Sequence, residues 1–234
     1  MIMNTTRYTN TRVAHTAMLM AGLTIEALLT DENLDSAFDW MCQRRKDWPP
    51  DADIWRFRHN WPEEKAQLRT DLLEGTYQVG LLQRVALVIG EEVDLWSACD
   101  SLVMKMLAMA LPQYLPLSNH CMHLKGHGGS KDAVRTVMAR LSHTPFMLKT
   151  DVQSYYASID HQLLLDRLSA YITDRRVMNL IGQYLLRCAE RGGLFWEHKQ
   201  GIALGCSLSP IIGAFFLSEL DAASSVIGAC RPDA

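Results

Sequence analysis

The chain is poor in several features that mark common protein classes. Its six cysteines, at positions 42, 99, 121, 188, 206 and 230, form no CxxC pair. The spacing of a zinc ribbon is therefore missing, and the thiols read as those of a reduced, cytoplasmic protein. No run of about 18 apolar residues occurs, which excludes a membrane-spanning helix. The stretch AMLMAGLTIEALLT follows Arg7 and Arg12 much as an export signal does, but Glu26 interrupts it and no small-x-small cleavage site is clear. That leaves an amphipathic helix. The formal charge is only −3, so the whole-chain basic signature of a nucleic-acid binder is missing as well. There is no internal repeat.

What charge there is lies unevenly. Residues 1–110 hold 11 Lys and Arg against 16 Asp and Glu, whereas residues 111–234 hold 12 against 10. A polyanion is expected on the second half. With 234 residues, 48% of them apolar, the chain can bury a sizeable core in one large domain or two small ones.

The pattern of apolar residues alternates between helical and strand periods. Residues 14–46 read as helical, with a break near TDEN, and DWPPDAD is a turn because two prolines cannot continue a helix. PEEKAQLRTDLLEG is a short helix opened by Pro62 and closed by Gly75. In QRVALVIGEEVDLW, Val85, Leu87 and Ile89 alternate, Gly90-Glu91 turns, and Val93 and Leu95 alternate again, a β-hairpin pattern. Asp100 is expected to cap a helix with Val103, Met106, Leu107, Ala110 and Leu111 on one face, ended by Pro112. LKGHGGSKDAVRTVMARL is a glycine-rich loop feeding a helix. PFMLKTD reads as a strand, residues 161–171 as a helix, and residues 174–190 as another that includes Cys188 and is capped by Gly192. LFWEHKQGIALGCS reads as a second hairpin. The last helix, 209–222, has Pro210 in its first turn and Ile212, Phe215, Phe216 and Leu220 as its apolar face. The class is α+β, with strands in pairs rather than regular βαβ units.

Two stretches carry chemistry. In LKTDVQSYYASID an apolar run leads to Asp151, and Tyr155, Tyr156 and Asp160 follow. A carboxylate at the carboxyl end of a strand faces the crevice where α/β proteins bind ligands, and it suits a hard cation such as Mg²⁺. Taken alone, the segment reads more simply as a turn with core tyrosines. In QGIALGCSLSP, glycines and serines form a tight loop before a helix, where backbone can approach a planar or phosphate-bearing ligand. Taken alone, that is an ordinary hairpin and cap.

In this order the two stretches resemble the reverse transcriptases of bacterial mobile elements, of the group II intron and retron-like type. TDVQSYYASID is similar to their Asp-hydrophobic-x-x-aromatic-aromatic-x-x-Ile-Asp motif, and GIALGCSLSPIIGAFFLSELD to their Gly-Ile-Pro-Gln-Gly-x-x-x-Ser-Pro motif with its closing Leu-Asp. GTYQVGLLQRVALVIGEEVDLWSACDSLVMKMLAMAL looks like their fingers hairpin and following helix, and LKGHGGSKDAVRTV like their Gly-Phe-Arg-x-Gly-x-Ser segment. The resemblance runs over roughly residues 70–222.

It implies a right-hand polymerase fragment: a helical extension over 1–50, a fingers-like region over 51–145 and a partial palm over 146–234. The activity implied is RNA-directed DNA polymerisation on an RNA template and DNA primer, with dNTP as substrate, Mg²⁺ as cofactor and no membrane partner. Asp151 would be a metal-binding carboxylate and the carbonyl of Val152 a second ligand. Two ions about 3.5–4 Å apart would activate the primer 3′-hydroxyl and steady the pyrophosphate. Tyr156 would be the gate against a 2′-hydroxyl, Leu204 and Gly205 would line the nucleotide, and Arg84 would reach the triphosphate.

The chain also departs from the pattern. Ala203-Leu204 stands where the family has Pro-Gln. EEVDLW is acidic where a second fingers arginine is usual. No Asp-Asp pair occurs, so the Tyr/Phe-x-Asp-Asp motif and the thumb are missing, and the chain is expected to be a truncated or split piece. A non-catalytic nucleic-acid- or partner-binding remnant is the alternative. Among lesser clusters, His120, Cys121, His123 and His127 lack a second group to complete a zinc site, and CQRRKDW reads as a solvated helix end. WRFRHNW is either a single-strand grip or an element with one buried aromatic face.

Overall fold

The computed structural model describes residues 22–86, 92–141 and 149–229. The first elements are helices opened by threonines. Thr24 accepts the N–H of Ala27 ahead of α1 (Ile25–Leu28), and Thr30 accepts that of Asn33 ahead of α2 (Asp31–Arg44). The expected break near TDEN falls here because Thr30 leaves helical geometry to cap α2. α2 buries Leu34, Ala37 and Met41 at helical spacing.

WRFRHNW resolves to the core. In α3 (Asp53–His59) Ile54 and Phe57 are buried while Arg56 and Arg58 face solvent, and Trp61 stacks on Phe38 with ring centroids 4.1 Å apart. α4 (Trp61–Glu74) has Pro62 in its first turn and ends on a left-handed Gly75, both as predicted.

The first hairpin is present as β1 (Leu82–Ala86) and β2 (Glu92–Leu95), with Gln83 opposite Leu95 and Ala86 opposite Glu92. Its Gly90-Glu91 turn lies outside the described residues. The following helix, α5 (Ala98–Ala110), buries the predicted face. Its cap corrects the sequence reading: Ser97 is the N-cap and accepts the N–H of Asp100. Asp100 is instead a buried acceptor, taking Tyr77 Oη at 2.7 Å and Ser97 Oγ at 2.6 Å. α6 (Gly129–Leu141) follows the glycine-rich loop and buries none of its side chains.

The strand expected over PFMLKTD falls mostly outside the described residues, and Lys149 to Val152 belong to no strand. After the short α7 (Tyr155–Ser158) come α8 (His161–Ser169) and α9 (Arg175–Leu185). Here the expected boundaries shift. Cys188 lies not in α9 but at the start of β3 (Cys188–Arg191), which pairs with β4 (Leu194–Glu197). Gly192 and Gly193, at φ +61° and +81°, form the two-residue turn between them, a geometry that only residues tolerant of positive φ adopt readily. The second hairpin is thus 188–197 rather than 194–207. The final helix is likewise two, α10 (Ser209–Phe216) and α11 (Ser218–Ala229).

The sheet order is β2-β1-β3-β4. Two antiparallel hairpins meet through parallel β1 and β3, with Leu82 beside Ala189. The architecture is α+β, and one buried apolar cluster runs from Leu23 to Phe215. Among the described residues no helix is long and apolar enough to cross a membrane.

Candidate functional site

The glycine-rich loop 201–207 is docked on α7 through its backbone. Gly201 donates to the Ile159 carbonyl and Ile202 to the Tyr156 carbonyl, both at 2.8 Å. Gly201 sits at φ +80°, and a Cβ there would lie 2.8 Å from Ala157 Cα and from Tyr156 O. Only glycine permits this approach. Its own carbonyl is held by His161 Nε2 at 2.7 Å and Arg187 Nη1 at 3.1 Å. From below, α10 supports α7. Tyr155 Oη donates to the Gly213 carbonyl at 2.6 Å, and a Cβ on Gly213 would lie 3.0 Å from the Tyr156 ring.

This wall faces the β1–β2 hairpin across a cleft of about 1530 Å³, whose lining includes Arg84, Tyr156, Leu204 and Gly205. Four of the six residues that the sequence singled out are therefore brought together, from segments some 120 residues apart. Tyr156 is half-buried, with its hydroxyl pushed to a higher pKa by burial. Leu204 is 79% exposed at the cleft, so it does not point into the core. Asp151 and Val152 are exposed on the approach to α7 and are not among the residues lining the cleft.

Arg84 is engaged within the protein. Its Nε and Nη2 grip the Asp94 carboxylate at 2.7 and 3.1 Å, and its guanidinium lies 4.5 Å from the centre of the Trp196 ring. Burial alone would raise the Asp94 pKa, but Arg84, and secondarily His198 at 3.2 Å, outweigh it and hold the carboxyl below its ordinary value. Burial lowers His198 in turn, helped by Arg187 and opposed by Asp94. Within the loop, burial pushes the Cys206 thiol up to about 11, which makes it a poor nucleophile.

Comparison with known proteins gives relatives of low similarity. No protein-family model matches the chain. Protein YkfC of Escherichia coli (strain K12) is 25% identical over 168 residues, which is 66% of this chain and 43% of that protein. The uncharacterized 91 kDa protein in cob intron of Schizosaccharomyces pombe (strain 972 / ATCC 24843) is 30% identical over 129 residues, 52% of this chain and 15% of that one. The chain thus spans less than half the length of these curated relatives. Among solved structures, a chain of the "Partial Cas6-RT-Cas1--Cas2 complex" superposes with a TM-score of 0.56 at 14% identity, covering 86% of this chain and 35% of that one. A chain of the "Cas6-RT-Cas1--Cas2 complex" gives the same score and identity, with 22% of it covered. The likeness is one of fold, shared with a reverse-transcriptase-containing complex and accompanied by a distant sequence relationship to an intron-encoded protein.

The donor set does not by itself build a two-ion centre. Among the described residues no group of three or more His, Cys, Asp or Glu is placed to hold a metal ion. The His/Cys cluster is likewise not assembled for zinc: Cys121 Sγ meets Asp221 at 3.5 Å, and His123 Nε2 lies 3.2 Å from the Pro210 carbonyl.

The cleft also contains residues that sequence reasoning passed over. Trp40, Arg44, Arg45 and Trp48 line it from the end of α2, although CQRRKDW reads as a solvated helix end. Arg45 is in fact buried, bonded to Trp96 O at 2.8 Å and Ser101 Oγ at 2.5 Å, with its guanidinium 4.2 Å from the centre of the Trp48 ring. Its usable signal was the aromatic residue three positions on. Arg187 and His198 carried none, because each lies just outside a regular element.

Proposed function

We propose that this chain is a reverse-transcriptase-related domain that binds an RNA template, a DNA primer and dNTP along the cleft between the β1–β2 hairpin and the loop 201–207. In this reading its parts are fingers and the first part of a palm. Tyr156 serves as the sugar gate, and Leu204 and Gly205 form the nucleotide floor. The observation that carries the proposal is the convergence of Tyr156, Leu204, Gly205 and Arg84 on one cleft. The fold likeness to a reverse-transcriptase-containing complex supports it. Asp151 with the Val152 carbonyl is proposed as the protein's contribution to Mg²⁺ binding. One carboxylate does not complete a two-ion site.

The matching test is fluorescence anisotropy with a labelled RNA–DNA hybrid. Binding should weaken steeply as salt rises, because phosphate contacts release counterions. Absence of binding at low salt would remove the proposal. A second reading, binding without polymerisation, is favoured by that single candidate carboxylate. Primer extension by residues 1–234 with Mg²⁺ decides between the two: none is expected, and incorporation that disappears in Asp151→Asn would establish the catalytic reading instead.

A further inference from the structure

Two of the four arginines that line the cleft, Arg84 and Arg187, are in opposite electrostatic situations. Arg84 uses its Nε–Nη2 edge to hold Asp94 in a bidentate pair. Arg187 is only 7% exposed, yet it makes no ion pair among the described residues. Its Nη1 donates to the Leu185 carbonyl at 3.3 Å and the Gly201 carbonyl at 3.1 Å. Its Nε is buried with no hydrogen-bond partner, and Nη2 has none among the described residues either. The edge that Arg84 closes on a carboxylate therefore has no acceptor in Arg187.

Asp94 is near enough for its charge to act on Arg187, but its oxygens bond Arg84 and His198 and none of them meets Arg187. A guanidinium stays charged, and a charge taken out of water without a counter-charge is costly. Burial accordingly pushes the Arg187 pKa down. A planar fork with two unmatched donors fits a tetrahedral oxyanion, bonded through two of its oxygens. The Gly201 carbonyl bonds Arg187 to the loop that carries Leu204 and Gly205, so an anion held there would lie beside the proposed nucleotide floor.

We propose that Arg187, not Arg84, is the phosphate-contacting residue of this cleft, taking the polyphosphate of a nucleotide on its Nε–Nη2 edge. The inference rests on the cleft being a nucleotide site, and it replaces the sequence expectation for Arg84.

The test is isothermal titration of the 234-residue chain with sodium tripolyphosphate, a probe with neither base nor sugar. Arg187→Gln should weaken binding by about tenfold or more, as loss of a charge-assisted bidentate contact does. Arg84→Gln should change it by less than about threefold, because that arginine is already spent on Asp94. Arg187→Lys keeps the charge without the fork and should fall between wild type and Gln. It also serves where Gln fails to fold, and an affinity equal to wild type in Lys would overturn the fork. Unchanged affinity in a folded Arg187→Gln, or no tripolyphosphate binding by the wild type, would overturn the inference. If tripolyphosphate binds through Arg187 while the RNA–DNA hybrid does not bind at all, this site stands and the polymerase reading falls.

Discussion

The two walls of the cleft are held by different physics. The loop wall, residues 201–207 on α7, is fixed by backbone hydrogen bonds and by a glycine contact too close for any side chain. The hairpin wall is fixed by polar pairs: Asp94 on β2 bonds both Arg84 on β1 and His198 just after β4, and Arg191 adds a bridge to Glu92 at 2.7 Å. Steric and backbone contacts are indifferent to salt and pH, whereas ion pairs are not. One wall is therefore a rigid template and the other an adjustable clamp, and Arg187, the arginine proposed to take an anion, is bonded to the first through the Gly201 carbonyl.

Gly201→Ala should show the largest effect. It combines a left-handed backbone with a Cβ 2.8 Å from Ala157 Cα, and overpacking plus backbone strain costs about 2–4 kcal/mol. Urea denaturation measures this, and the loss should be the same in low and high salt. A loss that shrinks with added salt would erase the distinction between the walls.

Asp94→Asn comes next. It leaves Arg84 without its bidentate partner at a site where both side chains are mostly covered, a cost of about 1–3 kcal/mol. Here the difference from wild type should shrink at high salt. A salt-independent loss would make the hairpin wall a packing element like the other.

The third effect is smaller and depends on pH. His198 has a folded pKa below its ordinary 6.5, chiefly through burial. The unfolded chain therefore takes up the proton first. The stability from keeping this imidazole neutral is fully present above about 6.5 and is lost as pH falls through the folded value. The Asp94 contribution runs over a lower window: its folded pKa lies below 3.8, so its stability persists above that value and is lost only on further acidification. Comparing wild type with His198→Gln between about pH 7 and 5.5 isolates the imidazole. The wild type should lose more stability over that interval. Parallel curves would remove His198 from the clamp.

Leu204→Gln should show the least change in stability. At 79% exposure its substitution is expected within about 0.5 kcal/mol. A clear thermal loss would mean that the side chain packs in a way its exposure does not show. Its effect on nucleotide selection belongs to the proposed function and should exceed its effect on stability.

Much of the fold was legible in the chain. Helical periodicity located α2, α4, α5, α8 and α10, because an apolar face at intervals of three and four residues can be buried in only one way. Alternation located β1 and β2. The errors fell where local signals compete. Gly192 is as good a helix cap as a hairpin residue, and only the pairing of β3 with β1 decided for the hairpin. Asp100 has the chemistry of a cap, yet Ser97 precedes it and took that place, leaving the carboxylate to Tyr77.

The candidate site divides along the same line. Residue types alone read the two stretches as a turn with core tyrosines and a hairpin with a cap; it was their resemblance to reverse transcriptases that nominated Tyr156, Leu204, Gly205 and Arg84. That they share a cleft was decided by the parallel junction of the two hairpins and by the docking of the loop on α7, contacts between residues 42 to 107 positions apart. Tertiary structure alone also determined which arginine is neutralised. Charge is written in the sequence, but pairing depends on distance, and only the folded chain sets Asp94 against Arg84 while leaving an edge of Arg187 without an acceptor.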